Sequence, residues 1–332
     1  MPFGGLCERF VQAAKILNME VTTIFLGPAT GKPYDFASYL NGQELADTKA
    51  LRKQLNEYAD QDWDLVLCHR YRAYWAVARS RLAHNFCVAL AHEYDMLGRW
   101  QRRWNRKIFA SKFKFAGVAP QIAEELHRVT GDTIVLPNVL DTAEARTQLL
   151  AKTDALETLG IPPGPLTVGV VGRLHYKKRP TLAIESFHEF AESNPNARLI
   201  FLGDGAEASH LASIAGPNVH FLGAVPNAAR LFSAFDILLH TGNVESFGMV
   251  VLEALFAGVP VVTTSDHGPA TVLEELGVYA TDSTPTAYAN AMRRAADVDH
   301  RQLKIAGRMR VQEKFSIEAL ARHLQDLLIP DN

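Results

Sequence analysis

The sequence predicts an α/β chain of two doubly wound domains, and three observations carry that prediction. Short apolar, β-branched runs alternate with segments of helical periodicity along the chain, which implies mostly parallel sheets covered by helices. Near the middle, a polar helix-prone stretch over 141–160 is followed by Ile161-Pro-Pro-Gly-Pro-Leu166, which breaks all regular structure. Finally, 332 residues exceed what one hydrophobic core normally supports. The expected units are residues 1–145 and 146–332.

Composition removes several classes of function. Hydrophobic content of 48% and charged content of 21% are ordinary for a globular protein that is not embedded in lipid. A net charge of -2 argues against general nucleic-acid binding. Cys7, Cys68 and Cys87 are odd in number and widely spaced, so they form no metal motif and suit a reducing, cytoplasmic setting. No apolar run approaches the ~18 residues of a membrane-spanning helix, and the opening residues lack the pattern of a signal peptide.

In the first domain, Leu6, Phe10, Ala13, Ala14 and Leu17 share one helical face over 6–17, and a strand follows at 21–26. Further strands are expected at 64–68, 85–92, 114–119 and 132–136. Gly4-Gly5 stands just ahead of the first helix, where bare amides and the helix dipole suit a phosphate, although an ordinary turn fits as well. His92 closes the strand at 85–92; it is either a satisfied structural residue or a proton-exchanging one. Over 97–115, Leu97, Trp100, Trp104 and Ile108 form one stripe, among Arg99, Arg102, Arg103, Arg106, Lys107, Lys112 and Lys114 with no acid between them. That pattern suits either an anionic membrane surface or a helix whose tryptophans are core.

The second domain shows strands at 167–174, 198–203, 219–222, 237–240 and 259–264, and a last helix at 316–328 with Ile317, Leu320, Leu324, Leu327 and Leu328 on one face. That helix, with Ser316 as its expected N-cap, packs back onto one of the domains. Two stretches carry chemistry. Gly172-Arg173-Leu-His-Tyr-Lys177-Lys178-Arg179 leaves an apolar strand with four cations, suited to a diphosphate or simply solvated. Over 248–257 a helix is apolar all round except at Glu253 and should be buried, so that carboxylate needs a partner. Either a core Arg or Lys serves, or a ligand with paired hydroxyls at a strand's carboxyl end.

Taken in order, Gly172-Arg-Leu-x-x-x-Lys178, Gly203-Asp-Gly205, Phe221-Leu-Gly223 and Glu245-Ser-Phe-Gly-x-x-x-x-Glu253 resemble the retaining glycosyltransferases of family four, which have the GT-B fold of two facing Rossmann-like domains with the active site in the cleft. The resemblance covers most of 137–330. Before that it rests on Phe3-Gly4-Gly5, His92 and Pro137-Asn138, and the opening looks like that of lipopolysaccharide core sugar transferases.

The resemblance implies transfer of a hexose, with retention, from a nucleotide-diphosphate sugar, UDP-linked by expectation, to a glycan or lipid-linked glycan. The setting it implies is bacterial lipopolysaccharide or surface polysaccharide assembly on the inner face of the cytoplasmic membrane. Arg173 and Lys178 would hold the diphosphate without a metal or cofactor. Glu253 would accept ribose hydroxyls, and Glu245 with the backbone at Phe247, Gly248 and Met249 would hold the donor sugar. Gly4 and Gly5 would approach the diphosphate or the acceptor, and His92 would orient a donor hydroxyl. A non-catalytic nucleotide-sugar-binding subunit and a nucleotide-sugar epimerase of the same fold are the alternatives.

Two departures stand out. Arg179 replaces the glycine that follows the lysine in the family, which should alter a turn. The family also has a strand before Gly-Gly that is central to the sheet, and its absence would leave two unpaired edges and an open core face. Either the natural start lies upstream or the first domain is degraded.

Overall fold

The computed structural model describes residues 3–26, 34–35, 37–39, 48–98, 109, 111–164 and 166–329. It divides into two compact units, Pro2–Val139 together with Ile317–Asn332, and Leu140–Ser316. The chain thus changes unit at Val139–Leu140, where a lone bridge ties Leu140 to Ser316 and Asp141 caps the next helix by accepting the Glu144 amide at 2.9 Å.

In the first unit, α1 (Phe3–Ile16) leads to β1 (Thr23–Phe25) and β2 (Ala37–Tyr39), then α2 (Thr48–Glu57), β3 (Val66–His69), α3 (Arg70–Ala78), β4 (Cys87–Ala91), β5 (Lys114–Gly117), α4 (Pro120–Thr130) and β6 (Thr133–Val135). The strands form two separate parallel sheets, β1-β2 and β3-β4-β5-β6. β4, central in its sheet, is buried at every residue. β1 is half-buried throughout, and β3 is buried only at Cys68. α1 buries Cys7, Phe10, Val11, Ala13 and Ala14, the stripe a core-facing helix requires, and it packs on the chain's last helix. Gly4 and Gly5 are a correction: α1 starts at Phe3, so they lie inside its first turn rather than ahead of it.

The second unit holds α5 (Thr142–Gln148), α6 (Lys152–Thr158), β7 (Thr167–Val171), α7 (Pro180–Ala191), β8 (Arg198–Leu202), α8 (Ala208–Ile214), β9 (Val219–Phe221), β10 (Ile237–Leu239), α9 (Met249–Ala257), β11 (Val261–Thr263), α10 (Gly268–Leu273), β12 (Val278–Tyr279), α11 (Pro285–Ala296) and α12 (His300–Lys314). Its sheet is continuous and parallel, in the order β12-β11-β10-β7-β8-β9. Strand order reverses between β7 and β10, and in such sheets the crevice outside the carboxyl ends at the reversal receives ligands. Glycine is required inside β7, because a Cβ on Gly169 would lie 2.5 Å from the Phe235 ring. The core below is apolar, with Phe187, Phe190, Leu199 and Phe201 at 0–1% exposure; each such side chain contributes about 1.5–3 kcal/mol.

α13 (Ile317–Leu328) is assigned to the first unit and buries Ile317, Leu320 and Leu324. The Ser316 hydroxyl donates to the Gln312 carbonyl at 2.7 Å. In the basic 97–115 stretch, residues 99–108 lie outside the described residues. Leu97 is buried, Lys112 donates to the Ala78 carbonyl at 2.6 Å and Lys114 pairs with Asp132 at 3.3 Å. Among the described residues no helix is long and apolar enough to cross a membrane.

Candidate functional site

The reversal point of the Leu140–Ser316 sheet places two loops side by side, one leaving β7 and one leaving β10. In the first, Gly172 and Gly203 have φ of +141° and +152°. A Cβ on Gly203 would lie 1.8 Å from the Gly172 carbonyl oxygen, so the two strand-end backbones touch. Leu174 is buried and anchors the loop, while Arg173 stays exposed. A short 3-10 turn (Tyr176–Lys178) follows, and Arg179 then takes φ 50° and ψ 50°, the left-handed conformation, before Pro180 opens α7. The Thr241 hydroxyl lies 2.9 Å from the Lys178 carbonyl and 3.0 Å from that of Arg179, tying this turn to the second loop.

Glu245 is the hub of the second loop. Its Oε2 receives the Lys178 ammonium and lies 3.5 Å from His240 Nε2, and His240 Nδ1 lies 3.3 Å from Thr263 Oγ1. Burial pushes the Glu245 carboxyl up, but the His240 ring and the Lys178 charge together outweigh it and hold the pKa down to about 2. Glu245 is therefore an anion throughout the physiological range, with acceptor capacity left for hydroxyls. Lys178 has three N–H donors, so pairing with Glu245 leaves two for another anion. A Cβ on Gly242 would sit 3.3 Å from the His240 ring, tighter than most such contacts, and 3.4 Å from the Lys178 side chain, an ordinary contact.

Residues 246–248 are fixed from below. A Cβ on Gly268 would meet the Ser246 carbonyl oxygen at 2.3 Å and the Phe247 nitrogen at 2.6 Å, and the Gly268 amide donates to the Glu245 carbonyl at 3.1 Å. Phe247 is core, stacked edge-on against Phe315 at 5.6 Å, which leaves its backbone, not its ring, for a ligand. Gly248, at φ +90°, turns the chain into α9. Along that helix Met249, Val250 and Glu253 share a half-exposed stripe, whereas Val251, Leu252, Ala254, Leu255 and Phe256 are buried. This corrects the premise of a helix buried all round: Glu253 is only half-buried, because its stripe is not covered by the core.

Of the expected residues, Lys178 and Glu245 touch, and Gly248, Met249 and Glu253 follow on the same loop and helix. Gly4, Gly5 and His92 belong to the other unit. There, His92 directly follows β4, beside His69, which ends β3, with Nε2 of the first 3.0 Å from Nδ1 of the second and the rings stacked at 5.2 Å. Phe10 packs edge-on against His69 at 5.0 Å. Burial, reinforced by Arg70, lowers the pKa of His69 to about 4. His92 falls well below the usual histidine range, chiefly through burial and then through His69 and Arg70. The pair is thus neutral near pH 7 and shares one hydrogen bond. Arg70, directly after His69, has φ +70°, the kind of backbone strain that collects at functional sites.

Sequence reasoning singled out neither His240 nor His69. Both stand at strand carboxyl ends, as His92 does, and that shared placement was the available signal.

Residues 151–310 match the profile of the family described as glycosyl transferases group 1. The GDP-mannose-dependent alpha-mannosyltransferase of Mycobacterium tuberculosis is 34% identical over 121 residues, 36% of this chain and 30% of that protein. The lipopolysaccharide core biosynthesis mannosyltransferase LpsB of Rhizobium meliloti is 31% identical over 191 residues, 52% of this chain and 53% of that protein. The chain thus matches about a third to a half of these relatives. Among solved structures, the HepE protein of Anabaena in complex with UDP and glucose superposes with a TM-score of 0.76 at 18% identity, covering 98% of this chain and 95% of that one. The continuous parallel sheets and the superposition give the chain the GT-B fold, and its residues 151–310 match the glycosyl transferases group 1 profile.

Proposed function

We propose that this protein is a retaining hexosyltransferase that uses a nucleotide-diphosphate sugar, UDP-linked, and a glycan or lipid-linked glycan acceptor of a bacterial surface polysaccharide or lipopolysaccharide. The observation that carries this reading is the Lys178–Glu245–His240 cluster at the reversal point of a group 1 domain. Arg173 and Lys178 meet the diphosphate charge without a metal, Glu245 and the amides at 247–249 hold sugar hydroxyls, and Glu253 takes the ribose. His92 orients a hydroxyl of the donor, and Gly4 and Gly5 approach the diphosphate or the acceptor. In the reaction the bond from the anomeric carbon to phosphate oxygen breaks. The acceptor oxygen bonds to that carbon on the same face, and its proton passes to the departing phosphate oxygen. The cations stabilise the charge that develops there, the type of electrostatic effect that usually dominates.

Work on a lipid-linked acceptor would place the enzyme in the cytoplasm at the inner membrane face, with the basic 97–115 stretch as its contact. Charge reversal at Arg102, Arg103 and Arg106 then abolishes binding to anionic vesicles; unchanged binding removes the membrane part of the proposal.

A second reading exchanges UDP-sugar for GDP-mannose, favoured by the name of the mycobacterial relative. Thermal shifts with UDP-glucose and GDP-mannose decide between them, because a ligand at 100 times its dissociation constant stabilises by about 2.7 kcal/mol. Release of nucleotide diphosphate only when acceptor is present establishes transfer. Release without acceptor indicates an epimerase or hydrolase, and tight binding without turnover a donor-binding subunit.

A further inference from the structure

His240, directly after β10, is buried at 7% exposure yet has no task in holding the donor. Its amide donates to the Val262 carbonyl at 2.9 Å, and Nδ1 lies 3.3 Å from Thr263 Oγ1 on β11. Both strands are buried at every residue, so the ring is carried by a rigid frame. Nε2 is different. It is buried and completes no hydrogen bond, and Glu245 Oε2 stands 3.5 Å from it, at the outer edge of bonding distance. A buried N–H in that position costs free energy until an acceptor closes on it.

The neighbours fix which nitrogen carries the hydrogen. Glu245 is ionised, so its oxygens only accept. The Thr263 hydroxyl can donate to Nδ1, and in a neutral ring that leaves the hydrogen on Nε2, on the side of Glu245. A protonated ring presents the same N–H there.

We propose that His240 is a positioning residue, which takes over Glu245 Oε2 from Lys178 when the diphosphate of the donor arrives. Without donor, that oxygen receives the Lys178 ammonium. A diphosphate carries more charge than one carboxylate and draws the ammonium to itself. Oε2 then lacks its cation in a half-buried site, where an uncompensated carboxylate is costly. Closing the 3.5 Å gap to Nε2 gives each atom the partner it lacks, and no proton changes hands. The Gly268 amide holds the Glu245 carbonyl at 3.1 Å, so the backbone stays in place while the side chain turns. Oε1 is left throughout to accept a hydroxyl of the donor sugar. This exchange of partners rests on the donor site proposed above.

The test uses the full-length protein with UDP and with GDP. In nitrogen-edited proton spectra, the His240 Nε2–H resonance should move downfield, to a stronger hydrogen bond, when the nucleotide that binds is added. In Lys178→Met, where Oε2 has no ammonium to give up, it should stand downfield with no nucleotide present. Turnover of the matching nucleotide sugar is the second readout. His240→Phe keeps a ring without the N–H and should lower kcat by about 10²-fold, with the donor KM within about threefold. His240→Gln, which keeps an N–H donor, should recover most of that loss, and Thr263→Val should lie between the two. A resonance that ignores both the bound nucleotide and Lys178→Met overturns the exchange, and so does parental kcat in His240→Phe while Glu245→Ala has lost turnover. Equal losses in His240→Phe and His240→Gln reduce the histidine to packing and overturn it as well. Where nucleotide binds without turnover, the resonance alone decides. Binding of neither nucleotide, or full turnover in Glu245→Ala, overturns the donor site and the exchange together.

Discussion

The two units share one alternation of strands and helices and differ, among the described residues, in the continuity of their sheets. Leu140–Ser316 has six strands in one sheet, and its reversal point is built from touching glycine backbones and a charged cluster around Glu245. Pro2–Val139 has the same alternation of strands and helices, yet among the described residues its strands fall in two sheets and β1 is nowhere fully buried. β1 and β3 are the less covered strands of that unit, and opening is expected to be easiest there. Chemistry that needs fixed geometry belongs in the uninterrupted unit, and four measurements can break or sharpen that difference.

The largest effect is expected at Glu245. Glu245→Ala removes a carboxylate held ionised against burial and leaves Lys178 and His240 without their shared partner. Turnover should fall by about 10³-fold, the scale of losing one preorganised electrostatic group, with donor affinity changed much less. If His92→Ala costs more than Glu245→Ala, the interrupted unit carries more of the chemistry than its architecture suggests.

Next is Gly203→Ala. The added Cβ meets the Gly172 carbonyl at 1.8 Å, in a backbone with φ +152° that side chains rarely adopt, so both strand-end loops must shift. A loss of about 3 kcal/mol is expected, from overpacking and strain together. Gly160, also at positive φ (+66°) but with nothing within 4 Å of its Cβ, should cost only the backbone term of about 1 kcal/mol when changed to Ala. Urea melts distinguish the two.

Acid should separate the units by pH. His69 has its pKa lowered to about 4 in the folded protein, against about 6.5 when unfolded. Between those values the unfolded chain binds more protons, so the contribution is complete above pH 6.5 and is lost as pH falls toward 4. The loss is on the order of 3 kcal/mol. Glu245, lowered to about 2, contributes fully above its unfolded value near 4.5, and that contribution is lost only as pH falls from there toward 2. All four tryptophans, Trp63, Trp75, Trp100 and Trp104, precede residue 140. Tryptophan fluorescence should therefore melt at lower temperature at pH 5 than at pH 7, before any acid effect centred on Glu245. A shift of the same size above pH 6.5 would contradict this assignment.

Most strand positions were legible because buried parallel strands are short apolar runs whatever their neighbours, as at 167–171 and 87–91. The donor loops were legible because the reversal point needs glycines and charge within a few residues of those runs. Ala37–Tyr39 and Val278–Tyr279 carry no such run and are strands only through the partner they pair with. The His69–His92 contact spans 23 positions and exists only once β3 and β4 pair, so no local pattern announces it. α1 takes in Gly4 and Gly5 although glycine disfavours helix, because the stripe at Cys7, Phe10 and Val11 outweighs two weak residues.

Arg179 gives the smallest and most diagnostic effect. Its φ and ψ of 50° are left-handed, which costs a residue with a Cβ about 1–2 kcal/mol and glycine almost nothing. The side chain recovers part of this through Nη2, which donates to the Ser283 carbonyl at 3.2 Å, an exposed bond worth about 0.5–1 kcal/mol. Arg179→Gly should then be stabilising by a few tenths to about 1 kcal/mol. Arg179→Ala, which keeps the strain and loses the bond, should be destabilising by a similar amount. Because Thr241 holds the carbonyls of Lys178 and Arg179 in place, neither change should move Lys178 away from Glu245, and turnover should stay within about twofold. A large loss of turnover in Arg179→Gly would mean that the arginine itself touches substrate, and that the charge run from Lys177 to Arg179 reaches further into the site than its turn suggests.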